Sequence, residues 1–214
     1  MTEPVLLLAA SGLARETLAA IRAIDERDGT STPVGILDDD EARHGEVLLG
    51  SPVLGPTAMA ADLQDRLVLC AGRGAARRAM AQRLDGLGVD PARYRAVIHP
   101  AASVGEGSHV APGAVLLAEV VLTADVQVGA HVVAMPGAVL THDDVVEDYA
   151  TICAGVVLGG SVRVGAAAYL GMCSSVREGV RVGPDAVLGM GATLLGDLPQ
   201  GQTWVGVPAR SKES

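Results

Sequence analysis

Every sixth residue from Ile98 to Leu194 is aliphatic, with Ala134 as the one exception among the seventeen positions. A period of six fits neither the 3.6 of a helix nor the 2 of an alternating strand, so it reports a repeating unit larger than one turn or pleat. Four residues after most of these positions sits a second small or aliphatic side chain, as at Ala102, Val120, Ala138, Val156 and Ala192, and glycine often follows the first, as at Gly159, Gly165 and Gly171. Along an extended chain the fourth and sixth residues of the unit face the same way, while the residues before them turn a corner, where glycine costs least. Each hexapeptide therefore predicts one short strand and one corner. Three close a triangular coil of eighteen residues, and about five and a half coils stack at roughly 4.8 Å into a parallel β-helix that buries the aliphatic ladder.

The first ninety-odd residues follow a different pattern. Residues 5–10 are an apolar run broken by Ser11-Gly12, and residues 13–24 then show helical spacing. A second strand at 34–37 ends in Asp38-Asp39-Asp40; a third at 67–70 ends in Ala71-Gly72-Arg73-Gly74 before a helix over 75–87. Strands alternating with helices predict a small parallel, Rossmann-like sheet whose ligands lie beyond the carboxyl ends of the strands. The chain thus divides into a Rossmann-like domain, 1–96, and a β-helix domain with a closing tail, 97–214. At the strand ends, Ser11 and Gly12 can offer backbone N–H groups to a phosphate. Asp38 and Asp39 can bond a base or sugar, and Arg73 and Arg77 can pair with a pyrophosphate. Each also has a plain structural reading as turn or solvated surface.

The formal net charge of −9 argues against nucleic acid as a partner. There is no apolar stretch of membrane-spanning length, and Met1-Thr2-Glu3-Pro4 lacks a basic leader start, so a soluble cytoplasmic protein with no membrane partner is expected. Cys70, Cys153 and Cys173 are odd in number, without CxxC spacing and in apolar surroundings, which predicts three buried free thiols rather than a disulfide or metal site.

Several segments taken together resemble one family nearly end to end. These are the Gly-containing turn after the first strand, Ile36-Leu37-Asp38-Asp39, the Gly-Arg loop, Ile98-His99-Pro100 ahead of the hexapeptides, and the closing Val205-Gly206-Val207-Pro208-Ala209-Arg210. The pattern is similar to the NeuD/PglD-type sugar acyltransferases. That resemblance implies a left-handed β-helix, a homotrimer, and an amino-terminal domain holding a nucleotide-linked or amino-sugar acceptor through Ser11, Gly12, Asp38, Asp39 and Arg73. It further implies acetyl-CoA as donor, lying between neighbouring β-helices along Gly160, Gly171, Met172, Gly189, Met190 and Gly191, with no metal. Arg210 and Lys212 are either CoA-phosphate ligands or a solvated tail, and Trp204 is expected to cap the last coil.

Thr141-His142-Asp143-Asp144 matches the family's catalytic His-acid pair. In the repeat phase His142 and Asp143 fall in a corner, so both are predicted to be exposed, with Ala124 and Gly160 one coil away leaving room for a substrate. A neutral imidazole suits removal of the acceptor's proton near pH 7, with Asp143 fixing its tautomer. Asp144 falls in a slot that elsewhere points inward, which leaves three alternatives: a distorted rung, a hydrogen-bonded carboxylate or a protonated one. Leu13, Met135-Pro136 and Thr151 stand where the family usually has a His, an Asn-Thr pair and a second His. They leave open altered acceptor recognition, altered donor binding, or lost activity in a catalytically silent scaffold of the same fold. A zinc enzyme built on His109, His131 and His142 is disfavoured by their spacing.

Overall fold

The computed structural model describes residues 3–212. Strand β1 (Val5–Leu8) is buried throughout and leads into helix α1 (Gly12–Asp28), which is capped by Ser11 at its start and by Gly29, at φ 65°, at its end. Strands β2 (Val34–Leu37), β3 (Val47–Leu48), β4 (Ser51–Gly55) and β5 (Arg66–Leu69) complete a five-stranded sheet in the order β3-β4-β2-β1-β5, and helix α2 (Gly74–Gly86) follows β5. β1, β2, β4 and β5 run parallel; β3 pairs antiparallel with β4. The β3–β4 hairpin is absent from the sequence-predicted elements because β3 has only two residues and β4 carries Pro52, a residue tolerated at sheet edges but discouraging to a strand assignment.

Seventeen two-residue strands follow, from Val97–Ile98 to Thr193–Leu194, each ending on one of the hexad aliphatic positions. They pair eighteen residues apart, as in Leu122↔Leu140↔Leu158↔Val176, and form three parallel sheets around one core. The fold is a left-handed parallel β-helix behind a small Rossmann-like domain. The third corner residue of each unit takes the left-handed backbone conformation in turn after turn, Asp143 at φ 63°, Tyr149 at 63° and Cys173 at 56° among them. The glycines that follow the ladder positions do something else. A Cβ on Gly159 would lie 2.6 Å from Glu178 N, and one on Gly171 2.5 Å from Met190 N, so these sites need space between coils rather than freedom of φ.

The carboxyl-terminal segment closes the last coil. Thr203–Val205 pairs with Val187–Leu188, Arg210–Ser211 folds back on it, and Trp204, Leu198 and Ala209 pack on the core. The tail thereby covers an edge that would otherwise template further pairing. Cys70 and Cys153 are buried, but Cys173 is exposed, correcting the expectation of three buried thiols: its left-handed corner turns the side chain outward.

The two domains share one apolar cluster, in which Leu13, Ala14 and Leu18 of α1 meet Val97, Val115, Leu117 and Val133 of the β-helix. Leu13 is buried in it, and Met135 packs against both this cluster and the β-helix core. On the other side α2 presses end-on against a corner. A Cβ on Gly74 would collide with the Tyr149 carbonyl and lie 3.0 Å from Ala167 Cα. Arg78 pairs with Asp185 at 2.7 Å. Arg77, read from sequence as a pyrophosphate ligand, is instead fully buried in this joint. Its guanidinium donates to the carbonyls of Ala71, Gly72, His131, Tyr149 and Ala150 and to Thr151 Oγ1, at 2.7–3.0 Å. Thr151 is buried by the same contact.

Candidate active site

His142 and Asp143 stand together on an exposed corner. His142 Nδ1 lies 2.8 Å from Asp143 Oδ2, with the two side chains 65% and 60% exposed. Asp tolerates the left-handed conformation better than most residues, and that conformation at position 143 is compatible with the carboxylate bonding the preceding ring. The bond assigns the proton to Nδ1 and leaves Nε2 as the basic nitrogen. One coil on, a Cβ built at Gly160 would run into Nε2 and Cε1 of His142. The space read from sequence as room for a substrate is therefore filled by the imidazole itself. Gly160→Ala is expected to push the ring away and lower kcat by about 10²-fold without unfolding the chain, the penalty typical of ångström-scale misplacement; an unchanged kcat would mean that the ring does not work from this position.

Asp144 points inward and is fully buried. Of the three alternatives the structure realises the hydrogen-bonded carboxylate: it accepts from Thr141 N and Val162 N, both at 2.8 Å, although burial raises its pKa to about 6. His131, on a different corner, is clamped between Tyr94, edge-on at 4.4 Å, and Tyr149, stacked at 5.1 Å. Burial, aided by nearby Arg77, lowers its pKa to about 4.

These shifts act on stability with opposite signs. Between 3.8 and about 6 the folded chain holds a proton on Asp144 that the unfolded chain has released, so stability falls as pH rises through that window. Between about 4 and 6.5 the unfolded chain takes up a proton on His131 that the folded chain refuses, so stability rises with pH. Each effect amounts to about 3 kcal/mol, and they largely cancel where they overlap. His131→Phe is expected to expose the falling slope between pH 4 and 6 in denaturant midpoints; an unchanged pH profile in that variant would refute the assignment.

In the amino-terminal domain Ser11, Gly12 and Asp38 converge at the carboxyl edge of the sheet. Asp38 Oδ2 accepts from Ala10 N at 2.6 Å, and Ser11 Oγ donates to Cys70 O at 2.5 Å. Asp39 turns away: Thr57 N and Oγ1 donate to one oxygen and Arg83 to the other, and these bonds, outweighing burial, lower its pKa. Arg73 lies over the Tyr169 ring at 4.8 Å, a cation–π contact across the domain boundary. The residues expected along a donor groove occupy two places. Gly160 sits under His142, whereas Gly171, Met172, Gly189, Met190 and Gly191 belong to the adjacent corner, at the opposite ends of the strands Ser175–Val176 and Thr193–Leu194. Met172 and Met190 are 49% and 74% exposed. Within one chain the two groups do not meet. Among the described residues no cluster of His, Cys, Asp and Glu could hold a metal, and His109, His131 and His142 stay apart.

From sequence His131 stands only as a zinc candidate; Tyr149 stacks on it from one coil away, eighteen residues on, whereas Tyr94 reaches it only through the docking of the domains. No protein-family model matches the chain. Solved structures do, over its whole length. A perosamine N-acetyltransferase from Caulobacter crescentus, in a histidine variant with CoA and GDP-perosamine, is 26% identical, with a TM-score of 0.90 over 100% of this chain and 99% of that one. PerB from Caulobacter crescentus, with CoA and GDP-perosamine, is 28% identical at a TM-score of 0.88, over 100% and 99%. The acetyltransferase domain of PglB from Neisseria gonorrhoeae, with acetyl coenzyme A, is 25% identical at 0.87, over 99% and 100%. Over its whole length the chain is thus similar to hexapeptide-repeat sugar acetyltransferases.

Proposed function

We propose that this chain transfers an acetyl group from acetyl-CoA to an amino or hydroxyl group of a nucleotide-linked sugar, with His142 as general base. The observation that carries this reading is the His142–Asp143 couple, held on an exposed corner with Nε2 over Gly160. Nε2 takes the proton of the acceptor N–H or O–H as that atom attacks the thioester carbonyl; the C–S bond then breaks, and the imidazolium returns the proton to the departing CoA thiolate. Asp143 stabilises the imidazolium in between. The complexes of the relatives with CoA, acetyl coenzyme A and GDP-perosamine support this donor and an amino-sugar nucleotide as acceptor.

The acceptor's nucleotide is assigned to the edge formed by Ser11, Gly12 and Asp38, with Arg73 beside it and Asp39 acting through the loop it ties down. The family resemblance implies a homotrimer, and the separation of the two groups supports a groove made from two chains. A neighbouring β-helix that brings its Met172–Met190 corner to this His142 corner makes one donor groove from two half-sites. The experiment is calorimetric titration with acetyl-CoA, with light scattering on the same sample. Micromolar binding at one site per chain in a particle of three chain masses is the expected result. A monomer, or no binding at millimolar donor, would leave a silent scaffold instead. Among the described residues no helix is long and apolar enough to cross a membrane.

A further inference from the structure

The corner that carries His142 is wired differently from its neighbours in the same sheet. One coil before and one and two coils after, the first corner residue donates its N–H to the ladder: Thr123 N to Leu140 O at 3.0 Å, Gly159 N to Val176 O at 2.9 Å, and Arg177 N to Leu194 O at 3.0 Å. Thr141 breaks the series. Its N–H turns back to Asp144 Oδ2 at 2.8 Å, and its hydroxyl, at 3.0 Å, takes over the bond to Leu158 O. The next coil is altered as well. Val156, Ala168 and Val180 close their corners with an N–H to the carbonyl three residues back, at 3.1–3.4 Å, whereas Val162 N is given to Asp144 Oδ1 at 2.8 Å. Asp144 therefore bolts the 141–144 corner to the coil that carries Gly160.

We propose that Thr141 and Asp144 are a positioning pair, which replaces the regular ladder at this corner and so sets the height and tilt of the His142–Asp143 couple over Gly160. The pair rests on the reading of His142 as the base. Two N–H groups converge on one slot, and only a side chain with two acceptor oxygens satisfies both. Ser108, in the same column, takes the cross-coil half alone, accepting from Val126 N at 3.1 Å. Elsewhere the slot holds residues such as Ala138, Ala150, Val156 and Ala168, all fully buried. A valine at 144 fits that pattern and spares the cost of a buried carboxylate, so the fold alone gives no reason for an acid here. The exposed couple two residues away does.

The test sets stability against rate. Asp144→Val is expected to keep or raise the unfolding midpoint, because the regular bonds from Thr141 N to Leu158 O and from Val162 N to Gly159 O can then form. At the same time it is expected to lower kcat by about 10- to 100-fold, with acetyl-CoA affinity unchanged. Activity is read as CoA thiol released from acetyl-CoA with GDP-perosamine as the probe acceptor. Thr141→Val should follow in rate, and Thr141→Ser, which keeps the hydroxyl, should restore it. The crystal structure of Asp144→Val gives a readout independent of the acceptor: the imidazole should leave its place over Gly160. An imidazole unmoved in that crystal overturns the pair, as does full rate in Asp144→Val and Thr141→Val while His142→Ala is dead. Full rate in His142→Ala would instead remove the base and leave the imidazole's position in Asp144→Val to decide the pair.

Discussion

Replacing His142 by alanine is expected to lower kcat by about 10²- to 10⁴-fold, the usual loss when a general base is removed, while the affinity for acetyl-CoA changes little. The split follows from where the ring stands. In the proposed groove the donor is held by Gly160 and a neighbouring chain's Met172–Met190 corner, none of which is lost with the imidazole; what disappears is the proton acceptor. Asp143→Asn should cost less, because an amide oxygen can still accept from Nδ1–H and hold the tautomer but cannot stabilise the imidazolium by charge. Steady-state rates at saturating and limiting donor separate the two parameters. Full activity in His142→Ala would take the residue out of the mechanism, and a rise in donor dissociation constant equal to the fall in rate would make it a binding residue.

The β-helix was legible because its core is a one-dimensional pattern: a side chain buried every six residues leaves a mark in sequence that no other fold needs. Corner placement of His142 and Asp143 came from the same phase. What the phase could not carry was the geometry between coils. The glycines after the ladder positions were read as turn residues, yet at Gly159 and Gly171 it is the next coil's backbone that forbids a Cβ. Asp144 stood out as the wrong residue in its slot, but its partner across the coils, Val162 N, appears only when two coils are stacked. Contacts between the domains were hidden for the same reason. Arg73 and Arg77 sit four residues apart, at the cap and in the first turn of α2, in a segment that looks made for phosphate. One packs on Tyr169 and the other is swallowed by the joint, and no local signal separates them.

That joint yields the second large effect. Arg77→Leu is expected to lower the unfolding free energy by about 3 kcal/mol or more, since it strips donors from five buried or half-buried carbonyls and the Thr151 hydroxyl together. Burial without a carboxylate partner lowers the guanidinium pKa to about 10, which leaves it charged at neutral pH and held by carbonyl dipoles and the Thr151 hydroxyl. A lysine cannot reproduce this, because a single ammonium cannot reach both the Ala71–Gly72 loop and the Tyr149–Thr151 corner, so Arg77→Lys should recover only part of the loss. The contacts join the turn before α2 to the β-helix, and their removal should also uncouple the domains. Scanning calorimetry of Arg77→Leu is expected to show the amino-terminal domain melting ahead of the β-helix as a separate transition. A single transition at the wild-type midpoint would mean that the apolar cluster of α1 with Val97, Val115 and Val133, together with the Arg78–Asp185 pair, holds the domains without Arg77. The consequence reaches the site, because Ser11, Gly12 and Asp38 are carried by the domain that would be freed. In Arg77→Leu the KM for the acceptor should therefore rise while the binding of acetyl-CoA, whose proposed residues all lie on the β-helix, stays as it was.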